Sequence, residues 1–475
     1  MQYAYISAYF FAAVLIPLAF IVMLWGLFYV TGQRNQKVFW SGLIAILAML
    51  PVLTDVRTPR GEFVNGVLKD VWIPPGYLQF LASWGSKGLT YLVLAFSLIV
   101  IVKSLHGKHD NKRHGGWLYV SYLFLIVPSF ISGIAGTRTH FTHFMIYAPL
   151  IFTLAYLVST STDWKWYAKQ FKLVLLIYVS LSALLGILAP TWAVGSALIL
   201  IPGFDFRLHG IFSHSNGLGM AALIYLVLDW ADDSHASLYR ILGWIVSFAV
   251  LIATQSKTSW IGAALALVVF LIYKITVTNR NKHEHSAVPA VMAGLLLTTT
   301  IAGLIAAGAS VESWFKGLDS QTYSSLTSLT GRTRIWEITI RSWLDNPIFG
   351  YGPGLWDREY RLQYAPQYLY IVGMAHNQFF QTLGESGVLG VIGLVVYVVT
   401  LIVYGLKFFT LTRGASLALV IVLIARSISE TPFRNQALDL MFFVHFAIFV
   451  LFLSLTANAE KQVSMARPGD FERRE

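Results

Sequence analysis

One histidine and its neighbours hold much of the chemical potential of this sequence. At 375–378 the chain reads Ala-His-Asn-Gln, and Asn377, Gln381 and Glu385 follow one another at intervals of four. That spacing sets three polar groups on one stripe of an otherwise apolar helix, below His376. Imidazole is the side chain able to take a proton from a hydroxyl near neutral pH, so His376 is the candidate general base. Asn377 or Glu385 would orient it, or line an acceptor cavity together with Gln381. The competing reading of the stripe is ordinary hydrogen bonding between helices in a bundle.

A second group of residues asks for an anion. Arg207, His214 and Asn216 stand in the polar segment RLHGIFSHSNGLG, Lys257 in the turn TQSKTS, and Arg138 in GIAGTRTHFTH. Arg426 closes an apolar run, and Arg332 and Arg334 open the stretch GRTRIWEITIRSWLDNPIFGYGPG. A cation near a membrane interior costs ~2.5–3.5 kcal/mol even on the mildest scale, so a chain that keeps these has something for them to hold. Lys257 could reach a phosphate oxygen, with a plain hairpin as the alternative. For Arg207, His214 and Asn216 the expectation is anion binding plus helix capping. A metal is not expected, because the histidine spacing around His209 and His214 is not a zinc pattern and only Asp205 stands nearby as a carboxylate. No cofactor is expected either. His140 and His143 read as interfacial, and His106, His109 and His114 as part of a solvated basic turn. Asp229, Asp232 and Asp233 could suggest a nucleotide-sugar metal site, but no strand-rich nucleotide-binding domain accompanies them.

The elements that must position these residues are membrane helices. Of 475 residues, 56% are hydrophobic and 12% charged, and the mean hydropathy is +0.64, far from the ~25% charged residues of a soluble domain. Apolar runs near the ~20 residues needed to cross a hydrocarbon core recur throughout. Their length and uniform apolarity imply helices rather than barrel strands. Spans are expected near 8–30, 38–54, 88–103, 116–133, 143–159, 172–189, 216–230, 240–254, 259–275, 288–308, 377–405, 414–428 and 437–456. The first is read as a retained span, not a cleaved signal peptide, and 192–201, ending at Pro202, as a re-entrant or interfacial piece. The fold class is therefore all-α, a polytopic membrane protein with about 12–13 transmembrane helices. Cysteine is absent, which removes thiol chemistry and disulfides.

Lysine and arginine collect in alternate short loops, which the positive-inside rule makes cytoplasmic. The long polar interruption then faces outward. It divides the chain into N-terminal helices at 1–190, central helices with outward polar turns at 191–308, a large periplasmic loop at 309–376, and C-terminal helices with a cytoplasmic tail at 377–475. Within the loop, Trp336, Ile340 and Trp343 recur at helical spacing while Arg334, Glu337 and Arg341 line another face. This predicts an amphipathic helix on the membrane surface, stopped at Asp345-Asn346-Pro347. GYGPG at 350–354 lacks the Lys and Ser/Thr of a phosphate-binding P-loop and reads as a tight structural turn.

Four blocks, Arg207 with GIFSHSNGLG, TQSKTSWIG, GRTRIWEITIRSWLDNPIFGYGPG and AHNQFFQTLGESGVLG, resemble in order and spacing the O-antigen ligase and Wzy-type polymerase superfamily over roughly residues 200–400. Within it, His214 to Asn216 and the lysine of the Ser256-Lys257-Thr258 turn look closest to exopolysaccharide polymerases of the succinoglycan type. The resemblance implies that His376 is the general base and that Arg207 holds the diphosphate of an undecaprenyl-diphosphate-linked glycan. Lys257 occupies a position where ligases have arginine, and Arg332 and Arg334 lie in the matching loop.

The expected activity is metal-independent inverting glycosyl transfer that polymerises lipid-linked repeats on the periplasmic side of a bacterial inner membrane. Expected partners are the lipid-linked donor and acceptor, membrane lipid and a chain-length regulator protein, with no nucleic acid. A ligase passing glycan to lipid A-core or protein would use the same residues. A lipid-linked sugar flippase is the alternative of another class, although the sequence has no internal repeat to suggest one.

Overall fold

The computed structural model of the chain describes residues 36–56, 60–64, 67–72, 74–106, 114–142, 144–158, 163–195, 206–232, 237–281, 332–366, 372–434 and 438–465. Among them the chain is almost wholly helical: α1 Gln36–Val56, α2 Gly76–His106, α3 Gly116–Ala135, α4 Phe144–Val158, α5 Trp164–Leu188, the single turn α6 Pro190–Ala193, α7 Ser215–Ala231, α8 Leu238–Ala253 and α9 Lys257–Asn281. After the polar interruption follow α10 Arg332–Leu344, α11 Arg358–Tyr364, α12 Gln378–Lys407, α13 Ala415–Ser427 and α14 Leu440–Met465. Two antiparallel ribbons complete the described elements, β1 Arg60–Val64 with β2 Val67–Trp72 and β3 Val194–Gly195 with β4 Arg207–Leu208.

Seven of the helices are long and apolar enough to cross a membrane, and α4, α7, α8 and α13 are shorter apolar ones. The expected spans at 8–30 and 288–308 lie outside the described residues, as do His143, Asp205, Asp233 and the loop before Arg332. Of the segment expected to re-enter the membrane, 192–195 are described, closing α6 and forming β3, and β3 pairs with β4 so that Gly195 faces Arg207.

The interior is built on α14, whose apolar window is buried almost all round. Phe442, Phe446 and Phe449 meet Phe152, and Tyr122 stacks on Phe152 with ring centroids 4.2 Å apart. Between α12 and α14, Tyr397 Oη and His445 Nε2 are 2.6 Å apart, a polar link in an aromatic shell. In a medium that supplies no water, such interhelical bonds and close apolar contact hold helices together, each polar link contributing about 0.6 kcal/mol.

The α12 helix is not continuous. Gly387 stands at φ 62° and ψ −158° inside it, a backbone geometry reserved to glycine. The loop after α10 enters this break: Tyr351 N donates to Gly384 O at 2.8 Å, Gly352 N to Glu385 O at 3.1 Å, and Val388 N to Pro347 O at 2.9 Å. Ser132 Oγ of α3 also donates to Glu385 O. The carbonyls freed by the break are thus satisfied by a neighbouring loop and helix, as a lipid-buried backbone requires. GYGPG is therefore a turn, and also the piece that stitches the polar loop to a span.

Candidate active site

The α10 helix appears where the periodicity placed it, but the face it buries is shifted by one residue. Ile335, Ile338, Thr339 and Ser342 are buried, against Leu355, Trp356 and Tyr360 among others. The tryptophans sit at the edge of that face. Trp336 stacks on Phe380 at 4.8 Å and its Nε1 donates to Ala375 O at 2.9 Å, while Trp343 Nε1 donates to Pro347 O. Amphipathic tryptophan prefers such margins, with its ring on apolar neighbours and its N–H satisfied.

His376 is placed by both of its neighbours. The N–H of Ala375 donates to Gln381 Oε1 at 2.6 Å and its carbonyl accepts from Trp336. Asn377 is the N-cap of α12, its Oδ1 accepting from Phe380 N at 3.1 Å and its Nδ2 donating to Ile428 O at 3.1 Å. Between these fixed points His376 adopts φ +49°. A left-handed backbone at a residue other than glycine costs on the order of 1 kcal/mol or more, and such strain gathers at functional sites.

The imidazole faces a carboxylate that the sequence reading did not single out. His376 Nδ1 is 3.3 Å from Glu430 Oε2, on the connection after α13. An ionised carboxylate only accepts, so Nδ1 carries the proton, and in the neutral form of the ring Nε2 keeps its lone pair. Glu430 Oε1 accepts from Asn216 Nδ2 at 3.3 Å. Asn216 Oδ1 in turn accepts from Arg207 at 3.0 Å and from Ser256 Oγ at 3.0 Å. A single chain of hydrogen bonds therefore runs from Arg207 through Asn216 and Glu430 to His376. Burial alone would raise the Glu430 carboxyl, but the His376 hydrogen bond and the Arg426 charge outweigh it and hold it well below the usual range.

Around this chain stand four cations. Arg207 Nε donates to Thr254 O at 2.9 Å, and its pKa is lowered by burial and by Arg426. Lys257, the first residue of α9, lies within electrostatic reach of Arg207 and Arg332, and Arg332 in turn acts on Arg426. Arg426 is 4% exposed, donates to Thr258 Oγ1 at 2.5 Å and lies 3.7 Å from Glu430 Oε1. Its Nε has no hydrogen-bond partner among the described residues. Four positive side chains stand against two carboxylates, Glu430 and the Asp439 that also acts on Arg426, and the surplus repels itself.

The turn carrying Lys257 approaches α7 closely because Gly219 has no side chain: a Cβ there would meet Ser259 Oγ at 2.7 Å and Thr254 Oγ1 at 2.9 Å. Gln255, at φ +46°, tightens the same turn and donates to Phe206 O.

His214 is the N-cap of α7 and its Nδ1 accepts from Asn216 N at 3.1 Å. Its side chain reaches solvent and stands within electrostatic range of Glu430, Arg207, Arg426 and His376. Burial lowers its pKa to about 4; Glu430 opposes the shift, and Arg207 and Arg426 add to it. The ring is therefore neutral at neutral pH, as its capping role requires.

The remaining candidates lie apart from this chain. Arg334 pairs with Glu337 on the exposed face of α10. Arg138 pairs with Asp357 at 3.1 Å and with Glu359, fastening the loop after α3 to the start of α11. Glu385 faces Arg434 at 3.7 Å and lines a cavity of about 40 Å³ with Gln378, Thr382 and residues of α3. Gln381 is fully buried and its Nε2 has no partner among the described residues.

Glu430 and Thr258 were missed by sequence reasoning. The available signal was the spacing of four between Arg426 and Glu430 at a helix end, which marks a pair on one face. Among the described residues no group of three or more His, Asp or Glu is spaced to hold a metal ion.

Residues 241–395 match a family model described as O-antigen ligase. The resemblance to the O-antigen ligase and Wzy-type superfamily is thus shown over that range. It takes in Lys257, Arg332 and His376, and leaves Arg207, Asn216, Arg426 and Glu430 on flanking segments. No curated protein matches the chain.

Proposed function

We propose that this polytopic membrane protein, which carries an O-antigen ligase family domain over residues 241–395, is a glycosyltransferase that polymerises oligosaccharide repeats linked to undecaprenyl diphosphate. The observation that carries the reading is the hydrogen-bonded chain from Arg207 to His376, because it couples a phosphate-binding cation to a base.

Nε2 of His376 takes the proton from an acceptor sugar hydroxyl as that oxygen attacks the anomeric carbon of the donor. The bond from that carbon to the diphosphate oxygen breaks, and the carrier leaves as its diphosphate with inverted configuration at the new linkage. Glu430 keeps Nδ1–H oriented and offsets the positive charge that forms on the ring. Arg207, Lys257, Arg332 and Arg426 receive the charge that builds on the departing diphosphate, which is the kind of contribution that is commonly largest in catalysis. Lys257 serves as a point charge, where an arginine would grip two oxygens at once. These cations supply the stabilisation without a metal. The site opens on the periplasmic face of a bacterial inner membrane, in keeping with the lysine and arginine distribution.

A ligase passing finished glycan to another acceptor is the second reading, favoured by the description of the matched family. Purified protein incubated with lipid-linked repeats, with and without a chelator, separates the two. A polymerase yields a chelator-resistant ladder on the carrier, and a ligase a single transfer to a separate acceptor. His376→Ala abolishes the product while lipid-linked repeats remain; polymer of normal length from that variant would remove His376 from the mechanism.

A further inference from the structure

At the other end of the same helices lies a second basic cavity. The α5 and α8 helices begin there, at Trp164 and Leu238, and α7 ends there at Ala231, whereas the candidate active site gathers at the opposite ends of α7 and α8. The 17 residues of α7 separate the two places, by ~25 Å at 1.5 Å per residue. The cavity holds about 390 Å³, within the ~300–1,000 Å³ range of ligand pockets.

Its lining joins a wall of paired charges to a rim that carries further lysines. Lys172 binds Asp229 at 2.8 Å and Asp232 at 2.5 Å, and Arg240 binds Asp229 at 3.0 Å, so two cations balance two carboxylates. Lys165 and Lys169, one turn apart on α5, add exposed positive charge at the mouth. Lys169 makes no ion pair with any described residue. The N-terminus of α8, capped by the neutral Ser237, adds its partial positive charge to the same space, while Asp163 caps α5 with a carboxylate. Below the rim the surface is apolar, with Ala168, Leu228 and the 46% exposed Leu173. Leu238, 72% exposed, and Tyr239 continue that apolar surface along α8. A site that joins a cationic mouth to an apolar flank, at the level where a helix enters the membrane, matches a molecule with a phosphate at one end and acyl chains at the other.

We infer that this cavity binds an anionic phospholipid, its headgroup phosphate held by Lys165 and Lys169 and its chains lying on Leu173 and α8. The site is independent of the glycosyl-transfer reading and rests only on the chain being a membrane protein.

The test uses full-length protein in phosphatidylcholine nanodiscs with and without phosphatidylglycerol. Phosphatidylglycerol raises the unfolding midpoint of the wild type, and native mass spectra retain it. In Lys165→Ala/Lys169→Ala the midpoint in pure phosphatidylcholine is unchanged, the increment disappears, and the apparent affinity for phosphatidylglycerol falls about tenfold. Lys407→Ala, at the same end of the bundle but outside the cavity, keeps the increment. Should the double variant fold poorly, Lys169→Gln alone loses part of it. An undiminished increment in the cavity variants overturns the assignment, as does equal loss in Lys407→Ala or full reproduction of the effect by inorganic phosphate.

Discussion

The indole of Trp336 donates to the carbonyl of Ala375 at 2.9 Å, which ties a helix of the polar loop to the residue directly before His376. The loop helix and the span beginning at Gln378 are therefore one positioning unit. Gln381 completes the hold from below through the Ala375 N–H.

Trp336→Phe keeps the ring stacked on Phe380 and removes the donor alone. Steady-state rates should show kcat reduced about five- to tenfold, with KM for the lipid-linked donor little changed, since one net hydrogen bond is worth about 1 kcal/mol. An unaffected kcat with a raised KM would mean that the loop helix serves donor binding instead.

Glu430→Gln tests the positioning of the base. The amide still reaches His376 Nδ1 but lacks the charge that stabilises the protonated ring, so the rate should fall about 10²-fold. Because the carboxyl is held well below the usual range, it does not titrate between about pH 5 and 8. The acid limb of the pH–rate profile thus belongs to another group, and it should move to lower pH in the variant. A limb that stays put while the rate drops would indicate a structural role only.

Two loop arginines separate binding from decoration. Arg332 acts on Lys257 and Arg426 and makes no ion pair among the described residues, whereas Arg334 is committed to Glu337 in solvent. Arg332→Ala should lower kcat/KM for the diphosphate-linked donor by about 10²–10³. Arg334→Ala should change it by roughly twofold or less, as for an exposed pair. Equal effects in the two variants would place the donor elsewhere.

His214 sets a pH dependence of stability. Its folded pKa of about 4 lies below the 6.5 of a free imidazole, so between these values the unfolded chain binds the extra proton. Stability from this group is complete above pH 6.5 and declines as the pH falls towards about 4. Thermal unfolding midpoints should drop over that window, and His214→Asn, which keeps a good N-cap, should flatten the decline. A slope unchanged by the substitution would assign it to other groups.

The membrane architecture was legible because long apolar runs have one physical solution: each must close its backbone hydrogen bonds within itself. Eleven of the expected spans fall on apolar helices of the structure. The meeting of Arg207, Asn216 and His376 was less accessible. Their pairing depends on which helix ends converge, and Glu430, 54 residues after His376, gave no local sign of facing it. Arg138 shows the opposite difficulty. An arginine next to an apolar run looks unpaired in sequence, and only the fold brings Asp357, 219 residues later, to meet it. The break at Gly387 was equally hidden, since a glycine in a membrane helix is common and the sequence does not say that another segment fills the gap.

The chain from Arg207 to His376 also bears on timing during synthesis. Its members leave the ribosome in the order Arg207, Asn216, His376, Glu430, and the carboxylate that orients the imidazole is the last to emerge. While only the earlier helices are inserted, Arg207 and Lys257 already stand beside the N-termini of α7 and α9, without the carboxylate that faces the imidazole. The hydrogen-bonded chain is therefore closed at one late step of membrane insertion, when the connection after α13 reaches its place, and a nascent chain halted before Glu430 holds its earlier members without the carboxylate that joins them.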